Sequence, residues 1–104
     1  MEKTPLNTAH FYARQADKLT KQKRFDDAIV SHRNAATNLE EAIRLIPKQT
    51  VTAVGIESLQ LQLRHHLAQI KVLPIRKEIY LRELERLRRE AEERERESRQ
   101  EDSI

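Results

Sequence analysis

Cysteine is absent from this 104-residue chain, as is tryptophan; glycine occurs once and proline three times. Without cysteine there is no disulfide framework, no thiol nucleophile and no thiolate metal site. The scarcity of glycine and proline removes the turn residues that hairpins need and favours long helices joined by short connections. Long apolar runs are missing too, Ala28-Ile29-Val30 being as long as any. That excludes a membrane-spanning helix and a signal-peptide core, and a soluble cytoplasmic chain is expected. There is no glycine-rich phosphate loop, no HExxH and no nucleophile–base spacing, and three helices rarely enclose a catalytic pocket. Neither an enzyme nor a cofactor is expected.

Leu, Ile, Val and Phe make up 26 of the 104 residues, enough for collapse and about right for one small domain. The pI of about 9.4 invites a nucleic-acid reading, but the charge is unevenly placed. Residues 1–47 carry eight Lys/Arg against six Asp/Glu, residues 48–76 four against one, and residues 77–104 eight against ten. The arginine-rich end is therefore self-neutralised, with Glu four residues before Arg at Glu78/Arg82, Glu85/Arg89, Glu90/Arg94, Glu92/Arg96 and Glu95/Arg99. Such pairs support a helix. A phosphate-tracking surface needs uncompensated cations, so no nucleic-acid partner is expected.

Helical periodicity runs through the chain. Thr4-Pro5 reads as an N-cap with proline at the first helical position, and Leu6, Ala9, Ala13, Ala16 and Leu19 recur at steps of three and four. The polar stretch Lys21–Arg24 marks a turn. A second helix opens at Phe25 with Asp26 and Asp27 in its first turn and presents Phe25, Ala28, Ile29, His32, Ala35, Ala36, Leu39, Ala42, Ile43 and Ile46 inward. An aspartate at Ile29 or Leu39 should unfold the bundle. Pro47 should end this helix near Ile46, and Thr50 or Thr52 is the candidate cap of the next.

The third helix has a heptad pattern: Ile56, Leu59, Leu63, His66, Ile70, Leu73, Lys77, Tyr80, Leu84, Leu87 and Ala91 occupy its a and d positions. One helix that Pro74 kinks near Ile70 is expected rather than two. Beyond Lys77 the apolar stripe thins and its flanks become charged, so bundle packing should give way to a charged or coiled-coil helix. The expected organisation is an all-α three-helix bundle over 1–76, a charged helical extension over 77–97 and a frayed tail over 98–104. A homodimer, if formed, would use Leu73, Tyr80, Leu84, Leu87 and Ala91. His65 and His66 are adjacent and point about 100° apart on a helix, so they cannot share a metal ion. His32 and His66 both fall on inward faces, where they could approach one another; the expectation is a histidine hydrogen-bonded at the edge of the core.

The spacing Ala16-x-x-Leu19, then Phe25-x-x-Ala28-Ile29-x-x-His32-x-x-Ala35, is shared by tetratricopeptide repeats and MIT (microtubule-interacting and trafficking) domains. A single repeat cannot build a solenoid, so a three-helix MIT domain fits better. More specifically, Pro5-Leu6-Asn7-x-Ala9-His10, Arg14-x-Ala16-Asp17-x-Leu19 and Phe25-Asp26-Asp27-Ala28-Ile29-x-x-His32-x-x-Ala35-Ala36-x-x-Leu39-x-Glu41-Ala42 closely resemble the MIT domain of the nuclear receptor-binding factor 2 family. The resemblance implies a regulatory, non-catalytic subunit of the autophagy class III phosphatidylinositol 3-kinase complex, cytoplasmic and recruited to sites of autophagosome formation. Asn7, His10, Arg14 and Asp17 would flank a partner-binding groove between helices 1 and 3. Two departures stand out. No LxxLL box is present, so nuclear-receptor binding is not expected, and Gln22 stands where the family tends to place glycine, so a left-handed backbone there would cost about 1 kcal/mol.

Overall fold

The structure, a computed structural model, describes residues 4–46 and 53–102. The two candidate caps Thr50 and Thr52 lie outside the described residues. Three helices follow in order, α1 (Pro5–Lys21), α2 (Phe25–Leu45) and α3 (Ala53–Asp102), with no strand among the described residues. The expected all-α, three-helix architecture with a long third helix is observed. By its internal contacts the chain divides into two compact units, Met1–Pro74 and Ile75–Ile104.

In the first unit the helix ends follow local chemistry. The Thr4 side chain accepts the Asn7 backbone N–H at 3.2 Å, and Pro5 fills the first helical position, where a missing N–H costs nothing. The end of α1 is a Schellman motif: the Lys23 N–H donates to the Thr20 carbonyl at 3.0 Å and the Arg24 N–H to the Leu19 carbonyl at 2.9 Å. Such a motif needs a left-handed residue, and it is Lys23, with φ of 63°. Gln22 keeps φ of −81° as the helix cap. The left-handed position thus falls one residue after the one expected, because α1 stays helical through Lys21. A lysine there carries a cost of about 1–2 kcal/mol that glycine would avoid. The Arg24 guanidinium donates to Asp27 at 2.6 Å in the first turn of α2, and α2 ends with Ile46 in an extended conformation, as a residue before proline prefers.

The core is built mainly from alanine. α1 buries Ala9 and Ala16; α2 buries Phe25, Ala28, Ala35, Ala36, Leu39 and Ala42, together with Ser31 and His32. From α3 come Leu73 and His66. With no side chain beyond Cβ, the alanines let helices approach closely, and α1 packs along α2. Large side chains sealed almost completely from water are few; Leu39 at 1% exposure and Leu73 at 0% are the largest. Ile29 and Ile43 are only half-buried.

In the second unit α3 continues as a charged helix to Asp102. Arg82 bonds Glu78 at 2.6 Å, Arg89 bonds Glu85 at 3.3 Å and Arg99 bonds Glu95 at 3.1 Å, three of the expected pairs. Glu90 and Glu92 are held from the preceding turn, by Arg86 at 2.6 Å and Arg88 at 3.2 Å. Arg86 also bonds Glu83. No helix is long and apolar enough to cross a membrane among the described residues.

Candidate partner-binding groove

Between α1 and the N-terminal part of α3, within the first unit, lies an open groove of about 460 Å³. Its α1 wall is Ala13, Arg14 and Asp17, its α3 wall Leu61, Gln62 and His65, and its floor His32 and His66. The α1 wall exists because residues 13, 14 and 17 share a helical face at steps of three and four. Asp17 is exposed and bonds Lys21 at 3.8 Å, a pair worth little in water that leaves the carboxylate available. Leu61 is 63% exposed, an unusually bare leucine beside polar walls.

The floor is chemically distinctive. His32 on α2 and His66 on α3 meet through their Nδ1 atoms at 2.7 Å, and both rings are buried. One Nδ1 must donate and the other accept, so the two rings carry opposite tautomers. Burial pushes the His66 imidazole down to about 4, with the neighbouring His32 and His65 adding to the effect. His32 is lowered as well, first by burial and then by His65, while the Asp17 carboxylate pulls the other way. Both rings are therefore neutral at pH 7. No group of three or more side chains suited to hold a metal ion occurs among the described residues.

Of the four residues expected to flank a groove, Arg14 and Asp17 stand on its wall. Asn7 and His10 are exposed on α1, farther toward its N-terminus and outside the groove lining. Among the expected dimerisation residues, Leu73 is fully buried and has no surface to offer a second copy. Tyr80 is half-buried, and Leu84, Leu87 and Ala91 are exposed. His65 and Leu61 belong to the groove although periodicity gave no sign of it. A surface histidine next to a buried one, and an off-seam leucine, were the only traces.

A family model of the MIT domain of nuclear receptor-binding factor 2 matches residues 1–99. The chain belongs to that family. The match covers α1 and α2 entire and nearly all of α3, so the groove lies wholly inside the family domain.

Proposed function

We propose that this MIT domain is a non-catalytic protein-interaction module, a regulatory subunit of the autophagy class III phosphatidylinositol 3-kinase complex. It acts in the cytoplasm and at sites of autophagosome formation, without a cofactor and without a nucleic-acid partner. Family membership supports the setting, and one observation carries the binding site: the α1–α3 groove sets an opposite-charge pair, Arg14 and Asp17, beside the bare Leu61. An apolar anchor from the partner would cover Leu61 and Ala13, while the charges fix its register. Asn7 and His10 extend the same helix by up to ten residues from Asp17, about 15 Å at 1.5 Å per residue, and would meet a longer partner segment.

The test is affinity purification of tagged protein from its native cells, comparing wild type with Arg14→Glu/Asp17→Lys. Both positions are exposed, so helicity should survive. Recovery of the lipid-kinase subunits should fall at least tenfold. Undiminished recovery with the double reversal would rule this groove out.

A second reading, a homodimeric coiled-coil structural or trafficking adaptor, is favoured by one observation in the second unit. Leu84 and Leu87, at heptad a and d positions, are 44% and 46% exposed. If they form a seam, sedimentation equilibrium should give a mass that doubles with concentration, and Leu84→Glu/Leu87→Glu should return the monomer. A monomer mass for the wild type at every concentration removes this reading.

A further inference from the structure

We propose that the His32–His66 pair is a proton-sensitive latch between α2 and α3, closed while the two facing nitrogens hold one proton between them and forced open when each carries its own. The geometry leaves little choice. At 2.7 Å the two Nδ1 atoms can share one hydrogen, and two imidazolium Nδ1–H groups cannot face each other at that distance. The surroundings decide where protons go. α1 presents Asp17, whose carboxylate favours a charge on His32, together with the cation of Arg14 on the same wall. α3 presents His65, whose ring centre lies 6.1 Å from that of His32 and 5.3 Å from that of His66. The first proton settles on His32, next to Asp17, and the hydrogen bond survives as a charge-assisted one. The second must enter a buried ring already beside a charge, and it breaks the bond.

The sign of the pH effect follows. A histidine whose folded form resists protonation binds fewer protons folded than unfolded, so the fold is favoured above the ordinary histidine range and loses ground as pH falls from about 6.5 toward 4. His66 alone should reduce the folding equilibrium constant by roughly a hundredfold between pH 7 and pH 4.5. Because both rings also floor the groove, the latch would tie partner affinity to protonation. That consequence rests on the groove being the binding site; the latch itself does not.

The experiment uses the whole chain and no partner. Nitrogen-15 NMR of the imidazoles at pH 7 should show two neutral rings of opposite tautomer, one Nδ1–H and one Nε2–H, at His32 and His66. Urea unfolding at pH 7 and 4.5 should show the wild type losing roughly a hundredfold more in folding equilibrium than His32→Leu/His66→Leu. The apolar pair replaces both hydrogen-bonding partners together and should still fold. Ordinary titration of both rings near 6.5, or identical tautomers, overturns the latch even if the double variant fails to fold. Equal pH dependence of wild type and variant overturns it as well. If the latch holds but the charge reversals on α1 leave kinase capture intact, only the link to the groove is lost.

Discussion

Leu39→Asp is expected to abolish cooperative unfolding of the first unit altogether. Leu39 is 1% exposed, so a carboxylate there would be cut off from water, and a buried charge costs more than a bundle of this size can spare. Small domains hold a net stability toward the lower end of about 5–15 kcal/mol. Leu39→Ala is the graded form of the same test, and a cost of about 3 kcal/mol is expected, within the range for leucine deletions in cores. Ile29→Asp provides the contrast. Ile29 is half-buried, so its replacement can turn the carboxylate outward, and a weakened but cooperative transition should remain. Thermal melts by circular dichroism with amide NMR dispersion would separate these cases. A cooperative Leu39→Asp melt close to wild type would mean that Leu39 is not sealed.

The contrast between Ile29 and Leu39 shows where pattern stops being informative. Both fall on the apolar stripe of α2, and the stripe fixes which face turns inward without ranking depth along it. Depth depends on what lies opposite, which is a tertiary property. Ser31 makes the same point from the other side: it is buried between the expected positions, and a lone serine in a helical stripe carries no hydrophobic signal. On α1, helical phase put Arg14 and Asp17 on one face, and the family resemblance implied that this face flanks a groove. The other wall was not legible, because which part of α3 opposes α1 depends on how the helices pack, a tertiary property. The same dependence left the histidine pairing an open alternative. His32 and His66 could each be placed inward from periodicity, but the meeting at 2.7 Å of two residues 34 apart in sequence requires the registry of their two helices.

The heptad pattern of α3 marks an apolar face without saying what that face does. Leu73 satisfies the repeat as well as Leu84 or Leu87 does, yet it is fully buried whereas they are nearly half exposed. A seam of a and d positions records that one face of a helix is apolar. It does not record whether that face is already covered. Of the expected seam, Tyr80, Leu84, Leu87 and Ala91 keep surface to offer and Leu73 does not, and Lys77 at an a position would weaken a seam further.

Ala28→Leu is the second substitution expected to have a large effect, and it probes what distinguishes this core. Ala16, Ala28 and Ala35 are fully buried at 0% exposure, so the space around them is filled by neighbouring side chains and backbone. A leucine adds three carbons where there is no cavity to receive them, and α1 and α2 would have to move apart. Overpacking typically costs 1–3 kcal/mol; about 3 kcal/mol is expected here, because the alanines set the close approach of the two helices. Helix propensity cannot offset this, since alanine and leucine are both strong helix formers. The urea midpoint should drop with little change in slope, the sign of lost stability without a change in the surface exposed on unfolding. Ala91→Leu, at an exposed position of the second unit, should leave the midpoint where it was. A wild-type midpoint for Ala28→Leu would show that the α1–α2 seam is loosely packed, and the stability of the bundle would then have to come from the few large side chains around Leu39 and Leu73.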